Sequence, residues 1–80
     1  MLVKHEVLKF AQLDAVVLRR DVPEHGLRAG DLGTVVEMYG EHRLEVEFVL
    51  ASGDTRALVT LKTDDVRAVS AEDILTVRPA

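Results

Sequence analysis

The fold of this chain is decided by the stretch Gly26-Leu-Arg-Ala-Gly-Asp-Leu-Gly-Thr-Val-Val-Glu-Met-Tyr39. Its three glycines, with Asp31 between the last two, are residue types that form tight turns. An apolar and β-branched run follows immediately, and such a run is typical of a strand. The stretch is therefore predicted to be a loop that leads directly into a strand of a β-sheet.

Strand-like patterns also occur on both sides of this stretch. The five predicted strands cover residues 14–20, 34–39, 43–50, 55–62 and 66–69. In the second strand Val35 and Met38 are predicted to face inward, and this spacing of three residues indicates a β-bulge or strong coiling of the strand. The third strand alternates most clearly, with its even-numbered residues 44–50 inward. The fourth strand fits two registers. Short strands at this spacing predict an all-β, five-stranded SH3-like barrel.

The segments between and beyond the strands carry further predictions. Leu27 and Leu32 are expected to pin the long loop at residues 23–33 against the core. Residues 63–65 are predicted to form a 3₁₀ or capped turn, and residues 70–73 a turn or the start of a helix. Residues 74–77 are predicted to be a sixth strand or edge segment that covers a sheet edge or joins a neighbour's sheet. The N-terminal extension, residues 1–12, fits a helix and a strand equally.

Composition limits the class of protein. The 80 residues suit one domain, with residues 13–69 as the barrel and residues 70–80 as a C-terminal turn and edge segment. The formal net charge of −4 and the pI near 5.2 argue against binding to a phosphate backbone. The absence of cysteine excludes disulfides and suits the cytoplasm. The apolar runs are much shorter than the roughly 20 residues that span a bilayer.

Residues that carry chemistry do not form a recognisable catalytic or metal-binding pattern. His5, His25 and His42 are too far apart in sequence to resemble a zinc motif. Asp64 and Asp65 are too few for a calcium cage and suit turn capping. The glycine spacing matches no phosphate-binding loop, and no nucleophile stands beside a base. We therefore expect a protein that is not an enzyme and has no metal or cofactor.

Acidic residues point instead to a protein partner. If strands two and three pair, Glu37, Glu41, Glu45 and Glu47 form an acidic strip that suits docking to a basic surface. Binding to another protein chain, either a second copy or a different protein, is the predicted function. The residues predicted to contact this partner are Glu24, His25, Glu37, Glu41, Glu45, Glu47, Ile74 and Val77.

The central motif also resembles known families. Pro23-Glu-x-Gly-Leu-x-x-Gly-Asp-x-Gly-Thr-Val35, with Glu45-Val-Glu-Phe48 after it, resembles an uncharacterised family of short bacterial proteins, domain of unknown function 4926. The resemblance covers roughly residues 13–69. It implies a stand-alone SH3-like barrel without established catalytic residues, and an accessory or antitoxin-like role beside a neighbouring protein. A regulatory subunit of an enzyme is an alternative of the same kind.

A second resemblance gives a different alternative. The Gly30-Asp-x-Gly-x-Val35 loop is similar to the KOW motif, which opens barrels that contact RNA or protein in ribosomal and transcription proteins. It implies an RNA-binding barrel, although the basic residues typical of RNA-binding members are sparse in this chain.

Overall fold

The computed structural model describes residues 9–49 and 56–76. Its five strands are β1 (Ala15–Leu18), β2 (Leu32–Tyr39), β3 (Arg43–Val49), β4 (Arg56–Lys62) and β5 (Val66–Ala68). Two 3₁₀ turns (Pro23–His25 and Thr63–Asp65) and one short helix, α1 (Ala71–Thr76), complete the elements. The prediction of a mostly β domain with five antiparallel strands is therefore confirmed.

The strands form a single open sheet in the order β4-β3-β2-β1-β5. All four neighbouring pairs are antiparallel. β4 follows β3 without any shift along seven residue pairs, from Arg43 opposite Lys62 to Val49 opposite Arg56. The two edge positions among the described strands belong to β4 and to the three-residue β5.

One face of the sheet encloses the hydrophobic core. Inward residues from both edge strands belong to the same cluster, Val59 and Leu61 from β4 and Val66 from β5. A sheet whose two edges pack on one core must curve, because a flat face keeps its edges apart. The other buried members of the cluster are Phe10, Val16, Leu18, Val22, Leu27, Val35, Leu44, Val46 and Phe48.

β2 begins two residues earlier than predicted, and this changes the position of Leu32. Gly33 pairs with Val16 on one side and Phe48 on the other, so it occupies an inward position and Leu32 points outward. Leu32 is 56% exposed, so the prediction that it pins the loop on the core is wrong. A Cβ on Gly33 would lie 2.6 Å from Val46 Cγ1 and 2.7 Å from Phe48 Cε1. Glycine is needed at this position because the core closes directly over it.

The predicted bulge in β2 is confirmed. The register with β3 shifts between Val35 and Glu37, so Val36 is the extra residue. Val35 is fully buried on one side of the shift, and Met38 packs against the core on the other. The bulge restores the inward phase, which explains two inward residues at a spacing of three.

The prediction of a sixth strand at residues 74–77 is wrong for its described part, because Ile74 lies in helix α1. Asp73 N donates to Ser70 Oγ (3.3 Å), and the Asp73 carboxylate accepts a hydrogen bond from Ser70 N (2.6 Å). This reciprocal cap confirms the helix start that was one of the two predictions for residues 70–73, and the helix continues into the apolar segment that was predicted to be a strand. Val77 lies outside the described residues, as do Leu50 and residues 1–8.

The loop predictions are largely confirmed. Leu27 is buried and bridges to Val22, closing the loop around the 3₁₀ turn Pro23–His25. The predicted 3₁₀ turn at Thr63–Asp65 is present, and Lys62 N donates to Asp65 Oδ2 (2.9 Å). β1 is shorter than predicted and ends at Leu18, after which Arg19 N donates to the Asp65 carbonyl (2.7 Å).

Candidate functional site

The outer face of the sheet, opposite the core, carries large apolar side chains. Leu32, Val49 and Leu58 are each 56% exposed. Leu32 and Val49 lie beside each other, because the residues next to them, Gly33 and Phe48, are paired. Leu58 pairs with Glu47, which places it diagonally across from Val49. A diagonal pair is within reach of long side chains. We call these three residues the outer apolar patch.

The outer apolar patch continues toward β1. Val17 lies opposite Leu32 and Arg67 in the register and is only 3% exposed, although it faces away from the core cluster. Arg67 donates two hydrogen bonds to the Asp73 carboxylate, Nη1 to Oδ2 and Nη2 to Oδ1, each 2.8 Å. These contacts join α1 to β5 at this end of the face. The outer face is therefore open mainly over β2, β3 and β4.

The predicted acidic strip is partly assembled on the same outer face. Glu37 lies directly opposite Glu45, and Glu47 follows two residues farther along β3. Like charges across a ladder repel, but Glu45 Oε1 accepts hydrogen bonds from Tyr39 Oη (2.8 Å) and Thr60 Oγ1 (3.3 Å). The hydrogen bond to Glu45 raises the pKa of Tyr39 above 10.0.

A basic row lies at one end of the outer face. Tyr39, Arg43 and Lys62 are neighbours on β2, β3 and β4, and all three are exposed. Arg43 lies directly opposite Lys62, and within residues 9–49 and 56–76 neither forms an ion pair. We call Arg43 and Lys62 the basic row.

The remaining predicted contact residues are dispersed. Glu41 is exposed in the turn between β2 and β3, where its Oε1 lies 3.9 Å from His42 Nε2. Glu24 and His25 are exposed in the 3₁₀ turn of the β1–β2 connection. The eight residues of β2 separate the two turns by about 25 Å at 3.3 Å per residue. Glu24 and His25 therefore cannot join Glu41 in one small site.

The outer apolar patch was missed as a site, although the sequence contained its signal. Alternation placed Val49 in the outward phase of its strand, and one of the two registers that fit the fourth strand placed Leu58 outward as well. An apolar residue in that phase indicates a contact surface when several occur together. Leu32 was not part of this signal, because residues 23–33 were predicted to be a loop and Leu32 was expected to pack on the core.

The described residues do not bring together three or more His, Cys, Asp or Glu side chains in a metal-binding arrangement. Within the same residues, no helix has the length and apolar character that crossing a bilayer requires.

Comparison with known proteins places the chain in a family. The family model for a domain of unknown function, DUF4926, matches residues 12–68. The chain belongs to the DUF4926 family. The matched residues include all five strands of this DUF4926 domain and exclude helix α1. No curated protein and no solved structure matches the chain.

Proposed function

We propose that this DUF4926 domain is a protein-binding module that contacts its partner through the outer face of its sheet. The outer apolar patch is the observation that carries the proposal. Three large side chains, each 56% exposed, lie side by side on neighbouring strands. Adjacent exposed apolar side chains mark interaction surfaces, whereas scattered ones are ordinary.

Charge on the same face supports a protein partner. The acidic strip lies next to the outer apolar patch, and the basic row lies beyond the strip at the other end of the face. Apolar contact is therefore combined with charges of both signs on one surface, as is usual in protein interfaces. An accessory or antitoxin-like role in the bacterial cytoplasm is one form that this binding would take.

We also infer that the sheet forms a small SH3-like barrel. Support comes from the strand order, in which the first strand lies between the second and the fifth, and from the single core shared by both edge strands. The surface available for binding is then the outside of the barrel, because the inside is filled by the core.

The test compares the full chain with patch and control variants. Leu32→Lys and Val49→Lys place charge in the outer apolar patch at exposed positions. Leu13→Asn removes an exposed leucine outside the patch and suits the positive φ of 76° at that position. We expect the wild type and Leu13→Asn to form the same complex or oligomer, measured by light scattering and affinity capture, and the patch variants to lose it. A wild type that stays monomeric and captures the same proteins as the patch variants would contradict the proposal.

RNA binding is tested with the same proteins. Phosphate contacts are strongest at low salt, so a gel shift with structured RNA at low salt is the sensitive condition. We expect no shift. A shift that weakens with salt would favour a KOW-like role.

A further inference from the structure

We propose that strand β4 is a docking edge to which the partner adds a strand, and that the added strand carries a carboxylate beside Lys62 and an apolar side chain beside Leu58. The proposal rests on the protein-binding function above and names its mode and the chemistry of its partner. β4 is seven residues long and pairs only with β3 in the described part of the chain. A long edge of this kind pairs readily with an incoming strand.

The alternation of hydrogen bonds along β4 identifies which of its backbone N–H and C=O groups point away from β3. Thr63 N donates to the His42 carbonyl (3.0 Å), next to the pair Arg43–Lys62. In an antiparallel ladder the bonds alternate, so residues 57, 59 and 61 point their N–H and C=O groups toward β3. The N–H and C=O groups of Leu58 and Thr60 therefore point toward the open edge. Lys62 N confirms this phase, because it donates away from β3 to Asp65 Oδ2 (2.9 Å).

β4 lacks the features that usually protect an edge strand. Proteins block pairing with proline, a bulge, or a charged residue in the middle of the strand. The ladder between β3 and β4 has no register shift, and residues 57–61 include neither proline nor charge. Lys62 stands only at the end, where the 3₁₀ turn Thr63–Asp65 already uses its N–H group. Among the described residues, the middle of β4 is open to an added strand.

Side chains beside the edge define the partner. On the outer face Leu58 is 56% exposed, and Thr60 and Lys62 follow at alternate positions. A carboxylate opposite Lys62 would face one positive charge directly, with Arg43 one strand farther away. On the inner face Val59 and Leu61 border the core, and apolar residues of the added strand would extend it. The partner strand therefore has an acidic and an apolar residue four positions apart on one face and apolar residues on the other.

A second copy of this chain lacks the chemistry that the edge favours. Residues 56–62 contain no acidic residue, so β4 of another copy would place no carboxylate beside Lys62. An acidic strand from a different protein supplies that charge.

The test uses the full chain and two labelled peptides. The acidic probe is Glu-Val-Thr-Val-Leu-Val-Glu, and the basic control probe has lysine in place of both glutamates. Binding is measured by fluorescence anisotropy. We expect the wild type to bind the acidic probe more tightly than the basic one, and Lys62→Glu to reduce this preference at least severalfold.

Backbone variants separate strand addition from contact with the face. Thr60→Pro removes an N–H group that points away from β3, and proline is tolerated at such an edge position. We expect Thr60→Pro to weaken acidic-probe binding about tenfold or more, the value of one lost hydrogen bond. Thr60→Val keeps the N–H group and is the matched control. Cooperative urea unfolding checks that each variant is folded, and the reduced preference of Lys62→Glu tests the proposal independently of the proline.

The outcomes distinguish this inference from the proposed function. Loss of partner capture in Leu32→Lys and Val49→Lys but not in Thr60→Pro would overturn strand addition and leave the binding function standing. Equal affinity of the wild type for both probes would also overturn it. A wild-type dimer that becomes monomeric in Thr60→Pro would show that a second copy occupies the edge and would overturn the acidic partner.

Discussion

Gly33→Ala is expected to destabilise the domain through steric crowding alone. The added Cβ would lie 2.6 Å from Val46 Cγ1 and within 2.7 to 2.9 Å of the Phe48 ring. Real side chains essentially never approach so closely, and both neighbours are fully buried, so the core must shift to accommodate the methyl group. Gly33 has no positive φ, so backbone strain does not contribute. Crowding of a packed core typically costs about 1–3 kcal/mol.

A double-mutant cycle tests the cause as well as the size. Val46→Ala removes the atom nearest to the new methyl group and alone should cost about 2 kcal/mol, from two buried methyl groups and the cavity they leave. The double variant Gly33→Ala/Val46→Ala should lose less stability than the sum of the two single variants, by about 1 kcal/mol or more. The reason is that the space vacated by Val46 accepts the new methyl group.

Gly30→Ala provides the matched control. The chemical change is the same, but Gly30 has a φ of +99° and nothing within 4 Å of its added Cβ. Gly30→Ala should lower the free energy of unfolding by about 1 kcal/mol because of the left-handed backbone. In the double variant this loss should add to that of Val46→Ala to within about 0.5 kcal/mol. The assay is urea unfolding of all five variants and the wild type. A Gly33→Ala protein as stable as the wild type, or strict additivity with Val46→Ala, would refute the reasoning.

Three further predictions concern single contacts. Leu13→Gly should raise the free energy of unfolding by about 0.5–1 kcal/mol, measured in urea, because Leu13 has a φ of 76° and is 77% exposed, so relief of strain exceeds lost burial. The chain has one tyrosine, so an ultraviolet absorbance titration reports the ionisation of Tyr39 alone. We expect the pKa of Tyr39 to lie above 10.0 and to be lower in Glu45→Gln, because the glutamine side chain carries no charge. Hydrogen bonds from Arg67 lower the pKa of Asp73 below its ordinary 3.8. A carboxyl group whose pKa is lowered by folding stabilises the fold when the pH is above its ordinary pKa. This stabilisation is lost as the pH falls toward the lower pKa of the folded state. Asp73→Asn should therefore be less stable than the wild type in urea at neutral pH, with the difference disappearing in acid.

The strands could be predicted because alternation is a local signal. In β3, residues 43–49 alternate without exception between the core and the outer face, and the observed register follows that pattern. The bulge at Val36 was predictable for the same reason, since Val35 and Met38 cannot both face inward without an extra residue between them.

Two predictions differ from the structure, the first because it depends on contacts between distant segments and the second because local and distant contacts act together. The local sequence around Gly33 is typical of a turn, and only the approach of Val46 and Phe48 shows that Gly33 is an inward strand position. A strand is predicted at Ile74 because a short apolar run fits both a strand and a helix. The cap between Ser70 and Asp73 and the link from Asp73 to Arg67 select the helix.

The position of α1 bears directly on the proposed docking edge. A sixth strand at the C-terminus would have been available to cover β4, the longer of the two edges. Instead the chain forms a helix that is joined to β5, the three-residue edge, through Arg67 and Asp73. Short edge strands need little protection, whereas long uncharged ones do. A domain that protected itself only against aggregation would cover the seven residues of β4 first. Within residues 9–49 and 56–76 the opposite arrangement is found, and it is the one expected if β4 receives a partner strand.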